Sequence, residues 1–273
     1  RLKAKGRSID FRVSIMPSIY GEDAVIRILD KKSISERFSE LRLDILGMAD
    51  SEVERIRRFI QEPYGMFLVT GPTGSGKTTT LYAALSEIYN EEDKIITIED
   101  PVEYKFDDIN QMQVNETAGL TFATGLRASM RLDPDVILVG EIRDAETARI
   151  AIQAALTGHL VMSTVHANDT VGAIYRLIDL GVEPFLIASA LIGIVAQRMV
   201  RRVDPNCSHL GAVSTEEQLA YEQEMNEQRT QFIQGAGCNF CAQTGYLGRT
   251  GIMEVMLMTE TIRRNLLAGG NSD

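Results

Sequence analysis

A glycine-rich stretch carries the clearest chemistry in this sequence. Residues 71–78 read Gly-Pro-Thr-Gly-Ser-Gly-Lys-Thr and satisfy the pattern G-x-x-x-x-G-K-[ST] at each fixed position. A short apolar run at 66–70 precedes it, and a run with helical spacing at 79–88 follows it. In a strand–turn–helix of this kind, the glycines let backbone N–H groups turn toward phosphate oxygens, and the helix N-terminus adds partial positive charge. The stretch therefore predicts a phosphate-binding loop.

The side chains of this loop predict ATP with Mg²⁺ as the ligand. Lys77 would reach the β- and γ-phosphates, and Thr78 would coordinate Mg²⁺. The alternative is a glycine-rich turn that binds nothing, which the flanking strand and helix disfavour. The predicted nucleotide-binding residues are Gly71, Pro72, Thr73, Gly74, Ser75, Gly76, Lys77, Thr78 and Thr79.

Two carboxylates are predicted to lie near the phosphates, because each follows a short apolar strand. Glu99 comes directly after 95–98, and Glu141 comes after 136–139 and one glycine. Ligands of parallel sheets bind beside the C-terminal ends of the strands. Glu141, in a Walker B-like position, is the candidate to polarise water or to hold Mg²⁺ through a water, and Glu99 is the second candidate base. A solvated acidic loop is the alternative at both positions.

Histidines and arginines supply further candidates. A predicted strand has His159 at its start and His166 at its end, and we favour His166 as a γ-phosphate sensor because it ends a strand beside the two that deliver carboxylates. The role of His159 stays open. Arg12 and Arg27 interrupt two apolar strands near the N-terminus. They are either exposed charges on edge strands or arginines directed at phosphate.

Three cysteines and one aspartate form a candidate metal site. The sequence contains Asp204-x-x-Cys207 and, further on, Cys238-x-x-Cys241 with the same spacing. Zinc accepts thiolate, carboxylate and imidazole ligands, so Asp204 or His209 would be the fourth ligand. An empty, decayed site and a redox pair are the alternatives.

The elements that must position these side chains alternate between strands and helices. The alternation over 66–181 predicts a parallel sheet covered by helices, and two strands are predicted within 1–30, joined by a turn at 17–22. Residues 31–50 read as a linker. Helices are predicted over 51–61 with Asp50 as the cap, 121–132, 145–156, 171–180, from Pro184 to about Val203, within a polar insertion after 204, and over 259–268, with a late strand at 252–256.

Length, composition and charge narrow the class of protein. The chain has 273 residues, with 44% hydrophobic and 24% charged residues, which is usual for a globular domain. Its net charge of −10 argues against nucleic acid as the main partner, although a local basic patch is compatible with it. The longest apolar uncharged run, at 184–197, is too short to span a bilayer. Three cysteines do not suggest a disulfide framework and no signal peptide is visible, so we expect the protein to reside in a reducing cytoplasm. Because the first residue is Arg1, we expect the sequence to be an excised part of a longer protein.

Four ordered motifs resemble the secretion-superfamily ATPases, which drive type II secretion and type IV pilus assembly. Besides the phosphate-binding loop they are an acidic box at 97–104, a Walker B-like segment at 132–144 and a histidine box at 157–169. Arg12 and Arg27 match arginines that the N-terminal domain of this family presents to nucleotide.

Within this family, the chain resembles the assembly branch more than the pilus-retraction motors. Segments at 163–169, 197–201 and 244–251 and the presence of a cysteine region carry this resemblance. Asp204 departs from the four-cysteine pattern that is usual in the family, which leaves zinc binding open.

The resemblance implies an α/β fold with two parts. These are a small, truncated α/β N-terminal domain over 1–40 and a RecA-like P-loop ATPase domain over 41–273, with a cysteine-containing insertion at about 204–241. It implies ATP and Mg²⁺ as cofactors, with Zn²⁺ as a further candidate, and a homohexamer as the assembly. The implied partners are an inner-membrane platform protein and N-terminal-domain partners of a pilus or secretion machine, but no nucleic acid. The implied location is cytoplasmic, at the inner face of the inner membrane, with peripheral association through partners.

The predicted function is therefore Mg-dependent ATP hydrolysis that drives pilus or pseudopilus assembly. A nucleotide-binding assembly module with negligible turnover is the competing class, and it would be indifferent to Glu141→Gln. A DNA-translocating motor is a third class, which the net charge of −10 disfavours.

Overall fold

A computed structural model describes residues 2–4, 7–30, 41–106 and 108–269. The chain divides into two compact units, one of Arg1–Gln197 with Met253–Asp273 and the other of Arg198–Ile252. Residues 31–40 of the predicted linker lie outside the described residues, and the division into domains at residue 40 stays a prediction.

The described strands form three sheets. Their bounds are β1 (Leu2–Ala4), β2 (Arg7–Ser18), β3 (Gly21–Asp30), β4 (Gly65–Thr70), β5 (Ile95–Glu99), β6 (Asn110–Gln113), β7 (Val136–Val139), β8 (Leu160–Val165), β9 (Leu191–Val203), β10 (Ser208–Ala212), β11 (Gln231–Gly235) and β12 (Tyr246–Leu257). Strands β1–β3 make an antiparallel N-terminal sheet, and β10 and β11 make an antiparallel pair in the second unit. The turn between β2 and β3 is tighter than predicted, since it contains only Ile19 and Tyr20.

The large sheet has the order β12-β9-β4-β8-β7-β5-β6. Every pair from β9 to β6 is parallel. This confirms the predicted α/β fold with a parallel sheet. Strand β6 was not predicted, because its sequence Asn-Gln-Met-Gln has almost no apolar character.

The described helices are α1 (Asp50–Ile60), α2 (Lys77–Ile88), α3 (Phe122–Ser129), α4 (Ala145–Leu156), α5 (Thr170–Asp179), α6 (Pro184–Ala190), α7 (Thr215–Met225) and α8 (Glu260–Leu267), with 3₁₀ turns at Leu43–Leu46, Glu116–Ala118 and Met130–Leu132. The predicted cap Asp50 is instead the first residue of α1, and Ala49 is the N-cap. The side chain of Glu52 accepts the Ala49 N–H at 2.9 Å, so a glutamate inside the helix satisfies the exposed backbone donor. Among the described residues, no helix is both long enough and apolar enough to cross a membrane.

Both faces of the large sheet are buried along its central strands β4, β5, β7 and β8, as strand β4 illustrates. Its side chains alternate, so Met66 and Leu68 pack in one hydrophobic cluster and Phe67 and Val69 in another. The first cluster includes apolar residues of α3, α4, α5 and α6, and the second includes those of α1 and α2. Burial on both faces explains why β4, β7 and β8 read as continuous apolar runs.

The predicted long helix from Pro184 to Val203 is wrong. The helix α6 ends at Ala190, and strand β9 begins at Leu191 and pairs with β4. A run that is apolar on all sides suits a buried helix and a buried strand equally, and the β-branched residues after Leu191 favour the strand. Gly193 fits this packing, because a Cβ there would lie 2.4 Å from the ring of Phe59 on α1.

The second unit contains the predicted helical insertion. Helix α7 begins after Ser214, whose hydroxyl accepts the backbone N–H of Glu217 while the Glu217 carboxylate accepts the N–H of Ser214. This reciprocal cap explains why a helix with no buried residue begins at a defined position. The pair β10–β11 lies on either side of α7 in the chain.

Candidate active site

The glycine-rich loop connects β4 to α2, as predicted. Gly71, Gly74 and Gly76 have φ of 137°, 79° and 90°, in the region that favours glycine. The first of them also lies against strand β9, because a Cβ on Gly71 would be 2.2 Å from the carbonyl oxygen of Gln197. The first position of the loop therefore requires glycine for two reasons, its positive φ and the lack of space for a Cβ.

The residues of the loop differ in their exposure to solvent. Pro72, Thr73 and Gly74 are exposed, and Ser75 is buried. Thr78 and Thr79 are partly buried in the first turn of α2, which begins at Lys77. The N-terminus of a regular twelve-residue helix thus directly follows the glycines.

Lys77 folds over the start of the loop. Its Nζ donates hydrogen bonds to the carbonyl oxygens of Gly71 at 2.9 Å and Pro72 at 3.1 Å. Burial lowers the pKa of Lys77, and the negative charge of Glu141 opposes this effect. The ammonium group therefore rests on carbonyl oxygens of the glycine-rich loop.

Glu141 lies between the side chains of Arg143 and His166. Its carboxylate is mostly buried, with 15% exposed, and one oxygen is paired with the guanidinium of Arg143. The other oxygen, Oε2, is 3.3 Å from Nε2 of His166. The structure thus brings together Glu141 and His166, which are predicted site residues from different strands.

Arg143 was missed by the sequence reasoning. The hydrogen bond that the Arg143 guanidinium donates to Glu141 raises the pKa of Arg143, so the arginine stays charged beside the carboxylate. Its position two residues after Glu141 was the available signal. The next residue, Asp144, caps α4 by accepting the N–H of Thr147 at 2.8 Å, which fixes the end of this short segment.

Hydroxyl groups of two threonines fix the strand ends that hold Glu141 and His166. The hydroxyl of Thr70, at the end of β4, lies 2.8 Å from the carbonyl oxygen of Val165 and accepts the N–H of Ala167 at 2.9 Å. The hydroxyl of Thr164 donates to the carbonyl of Gly140 at 2.8 Å. Hydrogen bonds therefore join the ends of β4, β7 and β8 through residues that precede and follow His166 in the chain.

Glu99 belongs to a buried network at the end of β5. It is 3% exposed, its Oε2 accepts the hydroxyl of Tyr82, and its Oε1 accepts Thr97 Oγ1 at 2.6 Å and Gln111 Nε2 at 3.2 Å. Burial is the main cause that raises the pKa of Tyr82, followed by the charge of Glu99. Both carboxylate oxygens are thus held by donors from α2, β5 and β6.

The remaining candidates occupy separate positions. Arg12 and Arg27 are direct partners in the β2–β3 register, and their side chains lie outside the described residues. Nδ1 of His159 is 2.9 Å from the carbonyl oxygen of Ala154, in the turn between α4 and β8. This contact gives His159 a structural partner.

The predicted metal ligands come together in the second unit. One ligand atom from each of Asp204, Cys207, Cys238 and Cys241 lies within 4.8 Å of the others. Sγ of Cys241 is 3.9 Å from Sγ of Cys207 and 3.7 Å from Sγ of Cys238. A tetrahedral zinc with Zn–S bonds of about 2.3 Å places its sulfurs about 3.8 Å apart. His209, the other candidate for fourth ligand, is exposed on β10 and is not in this group.

The hydrogen bonds around this group favour the charged forms of Asp204 and Cys241 but not that of Cys238. The backbone N–H of Cys241 lowers the pKa of Cys238, but the hydrogen bond to Asp204 and burial together raise it to about 11. Oδ1 of Asp204 accepts the backbone and side-chain N–H groups of Asn206, which lowers the pKa of the Asp204 carboxyl, while Oδ2 is 3.1 Å from Sγ of Cys238. Burial raises the pKa of Cys241, but N–H groups of Cys238 and Gly245 outweigh it and lower the value to about 7. Oriented carboxylates and N–H donors to thiolates are the usual surroundings of zinc ligands.

The sequence matches a known protein family and several of its members. Residues 1–272 match the family described as Type II/IV secretion system protein. The chain belongs to this family. It is 50% identical to the Type II secretion system protein E of Aeromonas hydrophila over 262 residues, which cover 96% of the chain and 51% of that relative. It is 49% identical to the Type II secretion system ATPase E of Vibrio cholerae over the same length and the same shares.

Solved structures support the fold. The pilus retraction motor PilT, with bound ADP, matches with a TM-score of 0.65 and 28% identity over 95% of the chain and 63% of PilT. The ATPase DotB of Legionella pneumophila matches with the same TM-score and 23% identity over 99% of the chain and 64% of DotB. The resemblance to secretion ATPases and the RecA-like fold are thereby confirmed. The chain spans about half the length of the curated relatives it matches.

Proposed function

We propose that this chain is the nucleotide-hydrolysing part of a type II secretion motor. The observation that carries the proposal is that Lys77, on the loop after β4, and Glu141, after β7, follow the C-terminal ends of two strands of one parallel sheet, with His166 beside Glu141 at the end of β8 between them. Lys77 would contact the phosphates and Glu141 the attacking water, which are two roles that ATP hydrolysis requires at one site. The names of the relatives, among them an ATPase, support the same activity.

The loop residues fit a nucleotide with Mg²⁺. Lys77 is bound only to backbone carbonyls in the described structure around it, so its ammonium can exchange these for β- and γ-phosphate oxygens. Thr78, in the first turn of α2, would coordinate Mg²⁺, and the backbone of 71–76 would surround the phosphates. When bound, Mg²⁺ neutralises charge on the phosphates.

Glu141 is the proposed base, with His166 and Arg143 as its neighbours. Glu141 would hold the attacking water and take its proton, and His166, with its side chain half exposed beside Glu141, would contact the γ-phosphate. Arg143 holds one carboxylate oxygen in place. Glu99, with both oxygens already bound by three donors, suits a positioning role on the same sheet edge better than that of a base.

Arg12 and Arg27 would act from outside the large sheet. They occupy directly paired positions on β2 and β3, which supports a joint role toward phosphate. Removing either one should reduce turnover much more than nucleotide affinity if they reach the nucleotide only when domains close.

The cellular role follows from the relatives. We propose a homohexamer at the cytoplasmic face of the inner membrane that acts on a platform protein to assemble a pilus or pseudopilus. Identity of about 50% to several type II secretion proteins favours the pseudopilus of a type II secretion system. The net charge of −10 supports the exclusion of nucleic acid as the main partner.

We also propose that Asp204, Cys207, Cys238 and Cys241 bind zinc. The sulfur spacing and the oriented carboxylate support a mixed Cys₃Asp site. Zinc would stabilise the second unit locally, because a structural site adds its binding energy to the fold around it.

The substitution Glu141→Gln tests the hydrolase against a module that only binds nucleotide. An amide cannot take a proton, so turnover should fall by about 100-fold or more while ATP affinity is kept. The matched control is Glu146→Gln, because Glu146 is exposed on α4 and pairs only with Arg127 in the described structure. Unchanged turnover in Glu141→Gln would contradict the assignment of the base.

A further inference from the structure

Gln197 is a buried side chain beside the phosphate-binding loop to which the proposed hydrolysis assigns no role. It is 2% exposed. In the parallel β4–β9 ladder Thr70 pairs with Ala196, so Gln197 lies where the chain leaves β4 for the loop. A buried amide has to find partners inside the protein, which makes its hydrogen bonds informative.

Both ends of the Gln197 amide are bound. Nε2 donates to the carbonyl oxygen of Ser75 at 2.6 Å, and Oε1 accepts the hydroxyl of Thr80 at 2.8 Å. The orientation of the amide is determined, because a carbonyl oxygen can only accept. Ser75 belongs to the loop and Thr80 to the first turns of α2, so one side chain connects the two segments on either side of Lys77 and Thr78.

The bond to Ser75 sets the direction of a backbone N–H group. The peptide bond from Ser75 to Gly76 is planar and trans, so the N–H of Gly76 points opposite to the carbonyl of Ser75. Gln197 holds that carbonyl toward β9. The N–H of Gly76 therefore points away from β9, and outward-pointing N–H groups are what a phosphate-binding loop presents to its ligand.

We infer that Gln197 is a positioning residue that presets the phosphate-binding loop for nucleotide. The inference rests on the proposed nucleotide site. The carbonyl oxygen of Gln197 packs against Gly71 at the start of the loop, where it leaves no space for a Cβ. The side chain of Gln197 donates a hydrogen bond to the carbonyl of Ser75 further along the loop. Because Gln197 is buried and both ends of its amide are bound, it does not itself contact the ligand. It lowers the cost of ordering the loop before binding.

The test is the affinity for ADP of a set of variants, measured by calorimetry on the full chain well below the melting temperature. Gln197→Leu, which removes both hydrogen bonds at similar size, should raise the dissociation constant about tenfold, which corresponds to about 1.4 kcal/mol. Thr80→Val should raise it less, about threefold, and Thr80→Ser should keep the wild-type value. The double variant should bind no more weakly than Gln197→Leu, because both changes act through the same amide.

Gln153→Leu is the matched control, since Gln153 is exposed on α4 and the substitution is the same. Wild-type affinity in a folded Gln197→Leu protein, even with a lower melting temperature, would overturn the inference and leave Gln197 a purely structural residue. So would strictly additive effects of Gln197→Leu and Thr80→Val. If Gln197→Leu does not fold, Gln197→Met decides, because its unbranched side chain fills the same space without donating a hydrogen bond to Ser75. A tenfold loss supports the inference, and no loss overturns it.

Failure of the proposed function gives a different result. If wild type and Lys77→Ala bind ADP equally, or neither binds it, the nucleotide site is wrong and the inference falls with it. If wild type binds and Lys77→Ala does not, but Gln197→Leu binds normally, only the inference is wrong.

Discussion

The phosphate-binding loop and the Asp–Cys group are both candidate ligand sites, but they are specified differently. The loop is one continuous stretch whose binding groups are mostly backbone N–H, set by glycines with positive φ. The Asp–Cys group consists of side chains, and its two halves are 34 residues apart in the chain. A local sequence can specify the first kind of site alone, whereas the second depends on β9, β10 and β11 folding correctly.

The largest expected effect is a loss of ATP hydrolysis when the loop, but not the Asp–Cys group, is altered. Lys77→Ala removes the cation proposed to face the β- and γ-phosphates, so ATP hydrolysis should fall by at least about 100-fold. The control is Lys105→Ala, because Lys105 is exposed and belongs to neither site. Initial rates of phosphate release measure both. Hydrolysis within a few-fold of wild type in Lys77→Ala would mean that this loop is not the hydrolytic site.

The next effect concerns the backbone character of the loop. Gly71→Ala should destabilise the fold by at least about 2–3 kcal/mol, because strain at positive φ adds to a clash with the carbonyl of Gln197. Gly21→Ala is the matched control, with φ of 130° and no atom within 4 Å of a new Cβ. It should lose only the contribution of backbone strain, about 1–2 kcal/mol. Urea unfolding of both variants gives the comparison, and equal losses would show that the contact with β9 does not constrain the loop.

A smaller effect concerns the mixed ligand set of the second site. Asp204→Cys replaces a hard carboxylate with a soft thiolate, so zinc affinity should rise by roughly tenfold, while Asp204→Ala should lower it. Competition with a chromophoric chelator measures this on protein that first shows about one zinc per chain by elemental analysis. Equal zinc affinity in all three proteins would remove Asp204 from the ligands, and zinc-free protein would favour a decayed site.

The smallest effect is the one expected of zinc on the hydrolytic unit. Strong chelation should leave ATP hydrolysis within about twofold and the main melting transition nearly unchanged, because zinc would stabilise only its own surroundings. Calorimetry with and without chelator checks this, with Cys238→Ser as a variant that lacks a ligand. A large loss of the main transition on chelation would show that the two sites depend on each other.

Local sequence patterns were sufficient to predict the strand, the glycine-rich turn and the helix of the proposed phosphate site. The motif at 71–78, the apolar runs before Glu99 and Glu141, and the strand that ends at His166 are contiguous patterns, and a local pattern specifies a strand–turn–helix whatever surrounds it. The same reasoning located the cysteines by their spacing. It erred at Pro184 to Val203, where an apolar run gave no periodicity to separate a helix from a strand.

The pairing of the strands determines which of these groups meet. His166 lies beside Glu141 because β8 pairs with β7, and Gln197 reaches Ser75 because β9 pairs with β4 instead of continuing α6. Asp204 rather than His209 joins the cysteines because the turn before β10 directs its carboxylate inward. These contacts join residues whose proximity depends on strand order and register, and neither is encoded in any single stretch of the chain.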